Sequence, residues 1–382
     1  MASSPIKVAM LVNDLGINGI STVIMNYCRN LDMKQFQVTI VAGAPIAPLY
    51  RSECEALGIK WCLLPERKTS PGAYYKALFS VLSRKRFDIV HVHGNSATIT
   101  PELFFAWIKG IKIRIAHSHS SNCTHLKAHR LLLPLFNRLY THAFACSNCA
   151  GEWLFGKKAF ILVPNGFTVS RFRFSEEKRQ QVRAELGLED KFVLGHVGLF
   201  NAPKNQPFLL KLFEAIAPQA SDTFLLLIGT GPDFDKVSEL VSRHPYRDRI
   251  LLYGESKDPS VLYNAMDVFV FPSIYEGLGI VLLEAQMNGL KCVVSDSVPE
   301  EVRLGSNVSF LSLEENIQKW VEEILAPSQI DRDSFYQKNI EAISQYDIRE
   351  NALALMRLYK KMYRKTYQDT GDFYEKRLDK KG

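Results

Sequence analysis

Two carboxylates and two glycines stand close together in Phe271-Pro272-Ser273-Ile274-Tyr275-Glu276-Gly277-Leu278-Gly279-Ile280-Val281-Leu282-Leu283-Glu284-Ala285. The stretch reads as the end of a strand (Val268–Pro272), a glycine-bearing loop, and a helix running to about Asn288, where Gly289 stops it. Glycines let backbone N–H groups approach a ligand, and a helix N-terminus carries roughly half a positive charge, so this loop suits a phosphate or a sugar oxygen. Glu284 falls two turns into a helix among Val281, Leu282, Leu283 and Ala285. A carboxylate so placed is costly unless hydrogen-bonded. A ribose diol, offering two hydroxyls to one carboxylate, is a fitting partner. Glu276, just before the glycines, would sit at the mouth of a cleft. The plainer alternative leaves Glu276 solvated and Glu284 on an exposed stripe. Gly229-Thr230-Gly231 is a weaker phosphate-loop signal, equally readable as a turn between strand and helix.

These residues need strands and helices to hold them, and the chain alternates the two throughout. Apolar runs of strand length fall at Ile6–Val12, Gln37–Ala42, Lys60–Leu64, Asp88–His93, Ile113–His117, Ala143–Cys146 and Phe160–Val163. A second series comprises Phe192–Val197, Thr223–Ile228, Arg249–Tyr253, Val268–Pro272, Lys291–Ser295 and Val308–Leu311. Continuous apolar runs are the mark of parallel strands buried on both faces. Helix-length segments such as Ser21–Leu31 and Gln206–Ile216 separate them, which gives an α/β class with doubly wound parallel sheets. At 382 residues the chain exceeds what one core supports, and the pattern restarts near Phe192 after the charged stretch Arg171–Lys191. The expected division is a Rossmann-like domain over 1–170, a second over 171–346, and a helical segment over 347–382 packing back on the first.

Composition narrows the function. A hydrophobic fraction of 47% and a charged fraction of 23% are those of an ordinary globular protein. No run of about 18 apolar residues is present to span a bilayer, and Met1–Val12 reads as a strand and not a signal peptide, so the expected location is the cytoplasm. Among seven cysteines, Cys146 and Cys149 form a C-x-x-C with no second pair to complete a zinc site, and core packing is the favoured reading. The net charge of +7 is uneven: residues 1–180 carry +13 and residues 181–382 carry −6. An anionic membrane surface or a phosphorylated acceptor suits the basic half better than nucleic acid, for which no binding motif accompanies the charge. Phe104, Phe105 and Trp107 mix with Lys109, Lys112 and Arg114, and Lys127, His129, Arg130 and Arg138 interleave with Leu131–Leu135. Such stretches suit an anionic leaflet, or else rim buried helices.

The Glu-x7-Glu spacing, in the context P-S-x-x-E-G-L-G-x-x-x-L-E-A, resembles the signature of retaining glycosyltransferases of family 4. The similarity runs through nearly the whole chain and is nearest to bacterial enzymes of capsular and exopolysaccharide synthesis. It implies the GT-B fold, two facing Rossmann-like domains with a cleft between them. It also implies a first domain for the acceptor and a second for the nucleotide-sugar. Glu284 would then hold the ribose, and Glu276 with the Gly277, Leu278 and Gly279 segment the transferred sugar. Gly19, after the first strand, would admit the donor diphosphate to backbone amides. Lys204, in Pro203-Lys204-Asn205, would neutralise that diphosphate, His117 would line the reaction centre, and Tyr253-Gly254-Glu255 would meet the base. His117 and His119, two apart, are expected on opposite sides of a strand with only His117 in the cleft. His91 and His93 are expected to be structural, and His196 a core residue.

Two departures stand out. The family often places an Arg shortly before its Lys, where this chain has Gly198-Leu199-Phe200, and Asn18-Gly19 stands where a Gly pair is usual. No Asp-x-Asp lies at a plausible strand end, so the expectation is a metal-independent transfer with no cofactor beyond the nucleotide-sugar, UDP being the carrier by analogy. The acceptor would be a glycan or a polyprenyl-linked sugar. The missing Arg also supports a competing expectation, a non-catalytic nucleotide-sugar-binding or scaffold protein of the same fold. A nucleotide-sugar epimerase is a further rival.

Overall fold

The computed structural model of the chain describes residues 4–369, except 17, 44, 257, 277 and 329. It divides into two compact units, one running to Phe167 and resuming at Tyr346, the other covering Thr168–Gln345. The chain therefore leaves the first unit and returns to it. Departure and return are stitched together within that unit: the Phe167 N–H donates to the Tyr346 carbonyl (3.0 Å), and the Ile348 N–H to that of Phe167 (3.1 Å).

The first unit is a seven-stranded parallel sheet of β1 (Ile6–Val12), β2 (Phe36–Gly43), β3 (Lys60–Leu64), β4 (Ile89–Gly94), β5 (Ile113–Ser118), β6 (His142–Ala145) and β7 (Ile161–Leu162). Their order is β3-β2-β1-β4-β5-β6-β7. The second is a six-stranded parallel sheet of β8 (Phe192–Val197), β9 (Thr223–Ile228), β10 (Ile250–Gly254), β11 (Val268–Phe271), β12 (Lys291–Ser295) and β13 (Val308–Leu311), ordered β10-β9-β8-β11-β12-β13. Central strands such as β11 and β12 are buried along their whole length, as continuous apolar runs require.

In both orders the winding reverses once, between β1 and β4 and between β8 and β11. At such a reversal the following loops part to opposite faces and leave a crevice at the carboxyl ends of the strands, where doubly wound sheets bind ligands. Close backbone packing supports the second crevice. A Cβ at Gly195 in β8 would lie 2.0 Å from the Met266 sulfur, so only glycine lets the segment entering β11 cross there. A Cβ at Gly229 would meet the Gly198 carbonyl at 2.0 Å, and one at Gly231 the Phe200 carbonyl at 2.5 Å. The Gly229-Thr230-Gly231 glycines thus have a packing reason, pressing the loop after β9 onto the loop after β8.

The Ile348–Tyr363 helix packs against the Gly19–Asn30 helix in the first unit, burying Leu355, Met356 and Tyr359. Among the described residues no helix is long and apolar enough to cross a membrane.

Candidate active site

The crevice between β8 and β11 brings together two residues singled out by the sequence. Lys204 lies in the short turn Ala202–Lys204 after β8, and Glu276 in the loop after β11. The Lys204 ammonium donates to Glu276 Oε1 at 2.5 Å and lies 4.7 Å from the centre of the Phe271 ring. The two side chains are only 18% and 11% exposed, so the pair is largely shielded from water and its attraction exceeds that of a surface ion pair. Backbone bonds fix the geometry. Ile274 N–H donates to the Pro203 carbonyl (2.8 Å), and Asn205 Nδ2 to the Pro272 carbonyl (3.2 Å). Asn205 itself, at φ +58°, is the only non-glycine residue of positive φ among the described residues. Asn tolerates the left-handed region better than most residues, and here it ends one turn and opens the Gln206–Ile216 helix.

Glu284 lies in the second turn of the Ile280–Met287 helix and is half-buried. Tyr263, from the segment entering β11, donates its hydroxyl to Glu284 Oε2 at 2.7 Å. Burial pushes the Glu284 carboxyl up to about 7, against the lowering effect of the Tyr263 bond and of Arg171. Arg171 in turn pairs with Asp258 at 2.9 Å. Gly279 caps the helix at φ +74°, a conformation that disfavours any Cβ although ordinary space surrounds it. Leu278 is buried beside it, and Gly277 lies outside the described residues. Tyr253 sits at the end of edge strand β10, two strands from β8, and is 41% exposed. Leu199 is likewise exposed and offers the loop no second cation. His196 is a core residue, its Nδ1 3.0 Å from the Val270 carbonyl. Tyr263 and Arg171 escaped the sequence reading because only tertiary packing brings them to Glu284.

In the first unit Gly19 begins the Gly19–Asn30 helix beside the β1–β4 reversal, with open space where a side chain would project. Asn18 caps this helix, its Oδ1 accepting from the Ser21 N–H (3.0 Å) while Nδ2 donates to Asp14 (2.7 Å). Asparagine at a position where the family favours glycine therefore has a structural use.

The histidines correct the sequence reading. His117 and His119 are not on opposite sides: side chains two apart along a strand share a face, and these rings lie 4.1 Å apart. His91 and His93 of β4 occupy the same face, with His93 directly across from His117. His91 Nε2 faces His117 Nδ1 at 3.0 Å, His91 Nδ1 the Tyr359 hydroxyl at 2.7 Å, and His93 Nδ1 faces His119 Nε2 at 2.9 Å. Burial, with like neighbours adding to it, holds His91, His93 and His117 well below the usual histidine range. Burial, opposed by a bond with Asn165, brings His119 to about 4. His117 is almost wholly enclosed and His119, just past the strand end, is the outermost of the four. One ring nitrogen from each of His91, His93 and His117 lies within 4.8 Å of the others, the one grouping of metal-ligand type among the described residues. Cys146 is buried, Cys149 exposed, and neither forms a disulfide.

Comparison with known proteins agrees with this architecture. Residues 17–171 match the family model described as Glycosyltransferase Family 4, and residues 178–330 the model described as Glycosyl transferases group 1. The chain is 30% identical over 376 residues to the "Putative glycosyltransferase EpsF" of Bacillus subtilis (strain 168), covering 94% of this chain and 97% of the relative. It is 26% identical over 242 residues to the UDP-Gal:alpha-D-GlcNAc-diphosphoundecaprenol alpha-1,3-galactosyltransferase of Escherichia coli, 58% of this chain and 60% of that one. Among solved structures, Anabaena HepE in complex with UDP-glucose superposes with a TM-score of 0.77 over 93% of this chain and 99% of its own, at 16% identity. That likeness speaks to the fold, which is GT-B.

Proposed function

Since the chain belongs to glycosyltransferase family 4, we propose that it moves a hexosyl or N-acetylhexosaminyl group from a UDP-sugar to a glycan or polyprenyl-linked acceptor in surface polysaccharide synthesis, with retention at the anomeric carbon and without a metal ion. The observation that carries this reading is the shielded Lys204–Glu276 pair at the β8–β11 reversal, with Glu284 in the second turn of the helix that follows. A cation on the turn after β8 and two carboxylates on the loop and helix after β11 match the three parts of a nucleotide-sugar. Glu284 accepts from the ribose hydroxyls, Lys204 meets the diphosphate, and Glu276 turns from the lysine to the sugar hydroxyls.

The hard step breaks the anomeric carbon–oxygen bond and leaves charge on the diphosphate. Fixed positive groups placed where that charge grows lower the barrier without reorganising. Lys204 and the amides opening the Ile280–Met287 helix supply them, which is why no metal is invoked. In the first unit Gly19 borders the β1–β4 crevice, where its backbone amides would admit the donor diphosphate, and His119, backed by His93, stands nearer the strand end than His117. Two of these similar proteins support the substrate classes: the solved HepE complex holds UDP-glucose, and the Escherichia coli relative acts on a diphosphoundecaprenol-linked sugar.

Incubation of the full chain with a panel of UDP-sugars, with and without lipid-linked acceptors, tests the reading. Release of UDP that rises with acceptor, persists in EDTA and falls about 10²–10³-fold in Lys204→Ala is expected, the usual effect of deleting one charge-stabilising donor. Absence of both turnover and donor-induced thermal stabilisation across the panel would overturn it. Loss of activity in EDTA would remove the metal-free mechanism alone.

A further inference from the structure

In the first unit one guanidinium ties together the two sides of the crevice at the β1–β4 reversal. The loops after β1 and β4 part to opposite faces there and form its two lips. Arg67 reaches them from the loop after β3, two strands away from β1. Its Nη1 donates to Asn13 Oδ1 (3.2 Å) on one lip, and its Nη2 to the Thr98 carbonyl (2.5 Å) on the other. Glu102, in the first turn of the Thr100–Ile108 helix, anchors the same group, its Oε1 lying 3.1 Å from Nη1. The guanidinium carbon stands over the Tyr74 and Tyr75 rings, 6.0 and 5.6 Å from their centres.

Glu102 is buried, and burial pushes its carboxyl up against the opposing pull of Arg67. Well-packed apolar residues would often hold helix to loop as firmly as such a pair. They could not bond both lips at once, which takes the planar fork of N–H donors that arginine alone carries. From Asn13 the connection runs on along the first lip. Asp14 Oδ1 accepts from the Gly16 N–H (3.0 Å) and from Asn18 Nδ2 (2.7 Å), and Asn18 caps the helix that Gly19 opens. The second lip is also bonded from two further helices: the Ala97 N–H donates to His129 Nδ1 (3.1 Å), and Trp153 Nε1 to the Asn95 carbonyl (2.8 Å). Arg67 thus bonds the lip that carries Gly19 to one already fixed.

We propose that Arg67, anchored by Glu102, is a positioning residue for sugar transfer that sets the Gly19 loop in place across the first crevice, an inference that rests on the sugar-transfer reading above. It acts through the two loops and not on the substrate. In that reading the groups that grip the nucleotide, Glu284 and Lys204, belong to the second unit, so Arg67 governs turnover and not donor affinity. Displacing a reacting group by about an ångström can lower the rate by about 10²-fold.

The experiment uses the full chain and measures UDP release from the UDP-sugar of the panel that turns over fastest, with calorimetric UDP binding beside it. Arg67→Lys keeps a charge next to Glu102 and loses the fork. Its kcat should fall about 10–10²-fold while UDP affinity stays within about twofold and the melting temperature stays close to that of the unaltered chain. Arg67→Met alone should melt earlier, because it leaves a buried carboxylate unpaired. Adding Glu102→Leu should restore the melting temperature without restoring kcat. A kcat that returns with the melting temperature makes Arg67 structural only and overturns the proposal. So does an Arg67→Lys chain with undiminished kcat, or one whose UDP affinity falls in step with kcat, which would make Arg67 a donor ligand. Should Arg67→Lys fail to fold, the double variant decides. Absence of turnover in the unaltered chain would remove the sugar-transfer reading and this proposal together, whereas equal turnover in the unaltered and Arg67→Lys chains removes this proposal alone.

Discussion

Glu284 is a half-buried carboxylate that accepts from the Tyr263 hydroxyl. Its carboxyl sits at about 7 instead of its ordinary 4.5 because burial penalises the charge more than Tyr263 relieves it. The folded state therefore binds more protons than the unfolded one between those values. This group's contribution to stability is greatest below about 4.5 and is lost as pH rises through 7. Ribose hydroxyls donate to the ionised form, so donor binding should move the other way. Calorimetric titration with UDP between pH 6 and 8 should show affinity rising with pH, by up to about tenfold per unit below the carboxyl's pKa. Glu284→Gln should bind weakly with no such slope, and Tyr263→Phe should shift the slope to higher pH. A pH-independent wild-type affinity would remove the ribose from Glu284. The Glu276 and Glu284 pair was legible because both chemistry and spacing lie within one segment. Tyr263 was not, since nothing local joins it to Glu284 before the segment entering β11 packs against the Ile280–Met287 helix.

At the scale of elements, the strands were the readable part, because a strand buried on both faces must be apolar without interruption. Val268–Phe271 and Lys291–Ser295 announce themselves that way. Strand order did not, since it depends on which crossovers reverse, and the face of His119 was misjudged through the two-residue period of the strand. The turn that holds Lys204 was half legible: Pro203 and Asn205 mark a turn, but the left-handed backbone at Asn205 emerges only in the fold. That backbone makes a prediction. Asn205→Gly keeps the conformation and loses the bond to Pro272, costing about 1 kcal/mol. Asn205→Ala adds backbone strain of roughly 1–2 kcal/mol and should unfold at clearly lower urea than the glycine variant. Equal midpoints for the two would mean that φ at 205 places no demand on the turn. If the turn positions Lys204, Asn205→Ala should also depress kcat more than the donor affinity.

For the whole molecule, the positive charge of residues 1–180 needs a counterpart, and the first unit offers a surface for one. The Thr100–Ile108 and Leu126–Leu139 helices pack together and leave Trp107, Ile108, Leu131 and Leu135 in water, Leu131 at 81% exposure. Lys127, Arg130 and Arg138 stand exposed on the second helix. Not every basic residue of these stretches contributes. Arg114 is turned to the Leu139 and Ile111 carbonyls, and His129 is buried, accepting from the Ala97 N–H while stacked on Trp153. Lys109 and Lys112 lie over the Phe79 and Tyr367 rings, but Lys127, Arg130 and Arg138 still join exposed apolar side chains to exposed cations, the composition of a surface that lies on an anionic leaflet, each cation contributing about 1 kcal/mol. Co-sedimentation with vesicles rich in anionic lipid should capture the chain at low salt and release it as screening shortens to a few ångströms near 1 M salt. Zwitterionic vesicles should not capture it. Leu131→Glu, altering a side chain with little to lose in packing, should weaken capture even at low salt and leave the melting temperature unchanged. Capture that ignores both salt and lipid charge would detach this face from the membrane, and a lipid-linked acceptor would then have to reach the β1–β4 crevice from solution.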